Sequence, residues 1–124
     1  MALSKKLQNF SIGIDMESIG RFKKLDPIKD KIFLSKIFTK KELKYCFAKK
    51  NFARHLAGRF AAKEAVVKAL YGAGQKKLNY KDMEVVNEKN GAPQIIAGKH
   101  NDFNIKISLS YCEDKAAAIA MLIA

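Results

Sequence analysis

A chain of 124 residues, 48% hydrophobic and 29% charged, has the length of one compact domain and the composition of an ordinary folded one, which excludes chain-wide disorder and a polytopic membrane protein. Its 24 Lys and Arg against 12 Asp and Glu leave a net charge of +12. An anionic partner is therefore expected, and nucleic acid, an anionic membrane surface, a phosphorylated small molecule and an acidic protein all satisfy that requirement.

The opening MALSKKLQNF lacks the apolar core of a secretory signal, and the longest apolar run, residues 116–124, is too short to span a bilayer. The expectation is a cytosolic protein. Residues 1–10 read as a basic N-terminal extension, and residues 11–124 as a single domain. Residues 11–15, SIGID, form a short apolar run ending at an acid, the pattern of a buried strand whose last side chain points into a site. From residue 17 to 25 the apolar positions Ile19, Phe22 and Leu25 fall at helical spacing, leaving Arg21, Lys23 and Lys24 on other faces. Asp26-Pro27 ends that helix.

Two short helices are predicted over residues 28–34 and 43–47, with Thr39 and Glu42 as a capping box ahead of the second. Residues 51–70 give the strongest helical pattern, rich in alanine, free of proline and closed by Gly72 and Gly74. The period then changes. Residues 83–85 and 94–97 read as strands joined through the Asn90-Gly91 turn. Ile105, Ile107 and Leu109 alternate with Lys106, Ser108 and Ser110 as a half-buried strand, and residues 116–124 read as a buried strand paired to it.

On the long helix, at about 100° per residue, Glu64 and Lys68 share a stripe with Ala53, Ala57 and Ala61. The small alanines let a backbone or a flat ligand approach, although the same spacing also describes a surface ion pair worth a few tenths of a kcal/mol. Asp15 either caps the next helix or serves a site. A magnesium ion commonly takes only one or two protein carboxylates and completes its shell with water and phosphate oxygens, so Asp15 and Glu64 suffice to hold one. Cys46 and Cys112, with no CxxC spacing and no neighbouring histidine pair, suggest neither a zinc site nor a redox pair. His55 and His100 read as a helix-surface and a loop histidine.

The segments GIDMESIGRF (13–22), FTKKEL (38–43), LAGRFAAKEAVVKAL (56–70), MEVVNEKNGAP (83–93) and IKISLS (105–110) together resemble the acyl-carrier-protein synthase family, of the 4′-phosphopantetheinyl transferase superfamily, over nearly everything after residue 11. GRFAAKEA is the most specific part. The resemblance implies an α+β fold of one domain, a long central helix packed on an antiparallel sheet. It implies transfer of 4′-phosphopantetheine from coenzyme A to a serine of an acidic acyl carrier protein, in fatty acid biosynthesis, with Mg2+ held by Asp15 and Glu64.

Lys68 matches the lysine that neutralises the diphosphate, and the catalytic set implied is Asp15, Glu64 and Lys68. Arg59 and Lys63 are implied contacts to the remaining phosphates, and Ser108 and Ser110 border the nucleotide near its 3′-phosphate. Arg21, Lys23 and Lys24 are the candidate carrier-docking surface, and a homotrimer with active sites between subunits is implied. One departure stands out: Tyr111 occupies a position where relatives often carry His or Asp, so an acid–base role there is not carried over. The competing reading from charge and twelve aromatic residues (eight Phe, four Tyr) is a non-catalytic nucleic-acid-binding module, though no zinc-knuckle, RNP-like or GXXG pattern is present. A third is a structural oligomer using the alanine stripe for assembly alone.

Overall fold

A computed structural model describes residues 9–98 and 104–123. Its centre is the helix α4 (Phe52–Gly72), preceded by strand β1 (Phe10–Ser18), α1 (Gly20–Lys23), α2 (Lys31–Ile37) and α3 (Lys40–Phe47). After it come a 3₁₀ turn (Tyr80–Asp82), β2 (Glu84–Asn87), β3 (Pro93–Ile96), β4 (Asn104–Cys112) and β5 (Lys115–Ile123). The predicted α+β class is observed.

Alanine costs no side-chain entropy in a helix, and α4 stops where the pattern breaks. Gly74 adopts φ +72°, and the Gln75 and Gly74 amides donate to the Leu70 and Tyr71 carbonyls at 2.9 and 3.0 Å. That is a Schellman stop; Gly72 itself remains helical. At α3 the Thr39 side chain accepts from the Glu42 amide at 3.2 Å and the Glu42 carboxylate accepts from the Thr39 amide at 2.8 Å, closing the predicted box.

Strands β1, β5 and β4 form an antiparallel sheet in that order, and β2 and β3 form a separate hairpin. The C-terminal strand thus pairs with β4 as expected, but also with β1, from Phe10↔Ile123 to Ser18↔Lys115. This second pairing corrects the helix predicted over residues 17–25: β1 runs on through Glu17 and Ser18, and only Gly20–Lys23 is helical. Nine residues of ladder outweigh a weak local periodicity. The helix predicted over residues 28–34 likewise starts later, at Lys31, because the Asp26 carboxylate caps a turn by accepting from the Ile28 and Lys29 amides at 2.9 and 2.8 Å.

Helix α4 lies directly on the sheet. A Cβ at Gly13 would stand 2.0 Å from the Ala65 carbonyl oxygen and 2.7 Å from the Ala69 amide nitrogen, so only glycine permits this approach. Ala61, Ala62, Ala65, Ala69 and Leu70 of α4 meet Ala118, Ala120 and Leu122 of β5 in one core, and Leu34, Phe38, Cys46 and Leu56 build a second. No described residue covers the opposite face of the sheet: Ile12, Ile14 and Met16 are 56%, 65% and 64% exposed, and Ile119, Met121 and Ile123 lie beside them. No helix among the described residues is long and apolar enough to cross a membrane.

Candidate active site

Alternation along β1 turns Ser11, Gly13, Asp15 and Glu17 toward α4. Because Gly13 lets strand and helix touch, Asp15 is carried against the C-terminal half of α4, where the alanine stripe emerges from the core through half-buried Glu64 to exposed Lys68. The Lys68 ammonium donates to Asp15 Oδ1 at 3.2 Å and to the Ile14 carbonyl at 2.9 Å. Lys68 therefore crosses to β1 instead of forming the helix-surface pair with Glu64. The Glu64 carboxylate accepts from the Tyr80 hydroxyl at 2.5 Å.

Glu17 completes the group. Only 8% exposed, it accepts from the Arg21 guanidinium at 2.9 Å. Its carboxyl is nevertheless pushed up to about 7, first by burial, then by the neighbouring Asp15 carboxylate, with Glu64 adding and Arg21 opposing. Burial, then the bond to Glu64 and its charge, hold the Tyr80 phenol above its ordinary value, so it remains a donor. Sequence reasoning missed both residues. Glu17 was assigned to a helix; in a strand, its i+2 spacing from Asp15 would have placed both acids on one face.

This site suits a divalent cation. Asp15 Oδ2 is buried with no hydrogen-bond partner, and Glu17 is held toward its protonated form by burial and then by its acidic neighbours, so both gain from positive charge brought nearby. Among the described residues no group of three His, Cys, Asp or Glu could hold a metal ion by itself, so a cation here would take most of its ligands from water or phosphate.

The other predicted positions separate into distinct environments. Lys63 is not open to a phosphate: fully buried, its ammonium is spent on Glu42 Oε1 at 2.6 Å and the carbonyls of Ile37 and Tyr80 at 2.7 and 3.0 Å. Arg59, 3% exposed, donates to Asn87 Oδ1 at 2.8 Å and lies 4.3 Å over the Tyr45 ring, leaving Nε without a partner. It lines a cleft of about 430 Å³ with Arg54, His55, Asn87 and Tyr111. His55 is thus a cleft residue, half-buried and edge-on to Tyr45; His100 lies outside the described residues.

Tyr111 packs its hydroxyl where a Cβ on Gly58 would be, and the Arg54 guanidinium sits 4.2 Å over its ring. Burial raises its phenol, making it a poor base. Ser108 and Ser110 are exposed and pair with Ile119 and Ala117 on the outer face of the sheet. Within one chain they therefore do not join Asp15 and Lys68, which meet on the inner face. Arg21 is tied to Glu17 with its side chain 68% exposed, and Lys23 and Lys24 are exposed beside it.

The fold and this acid-lined helix–strand junction define a class. A family model for the 4′-phosphopantetheinyl transferase superfamily matches residues 11–120, and the chain belongs to that superfamily. Within it, the chain is 40% identical over 112 residues to the holo-(acyl-carrier-protein) synthase of Thermodesulfovibrio yellowstonii, covering 90% of this chain and 95% of the relative. The Helicobacter pylori holo-(acyl-carrier-protein) synthase in complex with coenzyme A superimposes with TM-score 0.75 at 31% identity, over 90% of this chain and 98% of that one. The Bacillus anthracis enzyme in complex with CoA (3′,5′-ADP) gives TM-score 0.75 at 29% identity, over 92% and 96%.

Proposed function

We propose that this chain transfers the 4′-phosphopantetheine arm of coenzyme A to a serine of an apo acyl carrier protein, releasing adenosine 3′,5′-bisphosphate. The Gly13 contact that seats β1 on α4, with Lys68 of α4 bonded to Asp15 of β1, carries the reading, and the names of the relatives supply the substrate pair. The serine hydroxyl attacks the β-phosphorus, the bond from that phosphorus to the bridging oxygen breaks, and a phosphodiester forms. Glu64 is the first candidate to accept the serine proton, directly or through water.

Asp15 and Glu64 are the residues that would hold magnesium, with Glu17 flanking them. A bound Mg2+ supplies Lewis-acid polarisation of the phosphate oxygens. Lys68, its side chain 53% exposed, contributes a second positive charge to the diphosphate. The cleft lined by Arg54 and Arg59 suits the nucleotide's remaining phosphate, since both guanidinium groups carry fixed positive charge.

The uncovered apolar sheet face supports self-association, and a trimer is the assembly proposed. In it, Ser108 and Ser110 meet the nucleotide held by a neighbouring copy. Arg21, Lys23 and Lys24 form the docking surface for the acidic carrier, extended by the exposed Ile28, Ile32 and Phe33. A carboxylate-lined site is the reverse of what a nucleic-acid groove needs. Intact-mass measurement of an apo carrier protein, incubated with this chain, coenzyme A and Mg2+, tests the reading: one phosphopantetheine group is added, and an unchanged mass refutes it.

A further inference from the structure

The peptide that leaves α4 returns to it at Tyr80. Tyr80, in the 3₁₀ turn, touches three positions of the helix: its ring centroid lies 5.5 Å from that of Phe60, its carbonyl accepts from Lys63 Nζ at 3.0 Å, and its hydroxyl donates to Glu64 at 2.5 Å. The middle contact is anchored from behind. Lys63 is paired to Glu42 at 2.6 Å with both side chains fully buried, and Glu42 in turn accepts from the Thr39 and Val85 amides at 2.8 and 2.7 Å. Such a pair adds little net stability over an apolar replacement, because both ions lose their water. It does fix geometry, since each partner holds the other to one rotamer.

We propose that Tyr80 is a positioning residue for Glu64: the buried Lys63–Glu42 pair clamps the Tyr80 backbone, and the Tyr80 hydroxyl then holds Glu64 Oε1, presenting Oε2 to a divalent cation and the reacting groups. This inference rests on the reading of Glu64 as cation ligand or base. A free glutamate on a helix samples several rotamers, and selecting one before the cation arrives removes that entropic cost from binding. It also assigns Lys63 a role. The lysine organises the site through a backbone carbonyl and touches no phosphate itself.

The test is Tyr80→Phe, which keeps the ring and the Phe60 contact and removes only the donor. Titration calorimetry of the full chain with Mg2+ alone, and with Mn2+ alone, reads cation affinity without turnover. A loss of about tenfold is expected, with kcat lowered, KM for the carrier protein unchanged and the far-ultraviolet circular dichroism retained. Glu64→Gln is the companion variant, and adding Tyr80→Phe to it is expected to produce no further loss of affinity, because the hydroxyl acts through the carboxylate. Wild-type affinity in Tyr80→Phe, when Glu64→Gln has lost it, overturns the positioning role and leaves the Glu64 reading standing. Unchanged affinity and transfer in Glu64→Gln overturns both. Additive losses in the double variant also overturn the proposal, since they reveal a structural effect independent of Glu64.

Discussion

Strand β1 presents two surfaces built from the same nine residues. Its odd-numbered side chains, Ser11, Gly13, Asp15 and Glu17, turn to α4, while Phe10, Ile12, Ile14 and Met16 turn away into an uncovered apolar patch. One row gathers charge at a helix–strand contact and the other collects hydrophobic area. The period of two that separates them also decides the fate of β4, where Leu109 and Tyr111 face inward and Ser108 and Ser110 outward. A single strand can thus serve chemistry and association at once, because neither row occupies space the other needs.

The comparison breaks most sharply on the inner row. Asp15→Ala and Glu64→Ala are each expected to lower kcat/KM at least about a hundredfold with the circular dichroism unchanged; near-normal turnover in either folded variant removes the cation site from that row. On the outer row, Ile14→Glu with Met16→Glu places two charges in the apolar patch. Sedimentation should then show the smaller species while the fold persists, and an unaltered oligomer would mean that the patch is not the association surface.

A smaller effect is expected from Lys68→Ala, which should raise KM for coenzyme A about tenfold and leave KM for the carrier protein nearly unchanged, as expected for one lost charge–phosphate contact. Lys68→Arg should retain more activity than the alanine variant, though a planar guanidinium is an imperfect substitute for an ammonium. Equal damage to both substrates would contradict the diphosphate assignment.

The smallest effect concerns Glu17 in metal-free protein. Its folded value of about 7 lies above the ordinary 4.5, so the folded state binds the proton more tightly. Its contribution to stability is full below pH about 4.5 and is lost as pH rises through about 7. Urea melts in chelator at pH 5 and pH 8 should differ by on the order of 1 kcal/mol more in the wild type than in Glu17→Gln. Equal pH dependence in the two proteins would show that neither burial nor Asp15 raises the Glu17 carboxyl.

Sequence alone was sufficient for what short-range physics decides. Alanine propensity and a glycine stop delimit α4, the Thr39–Glu42 box starts α3, and Asn90-Gly91 turns β2 into β3, with Gly91 at φ +87°. Asp15 and Glu64 were singled out by the order and spacing of family motifs; the close approach of β1 to α4 depended on Gly13. Tertiary structure decided whatever depended on the packing partner. It extended β1 through Glu17 by pairing it with β5, turned Ser108 and Ser110 away from the acids, and buried Lys63 while leaving Lys68 exposed on the same helix. Helical period assigns a side chain an angle, but only the elements arriving from elsewhere in the chain determine whether that angle faces water, a core or a substrate: at Lys63 they are α2, α3 and the Tyr80 turn, and at Lys68 it is β1.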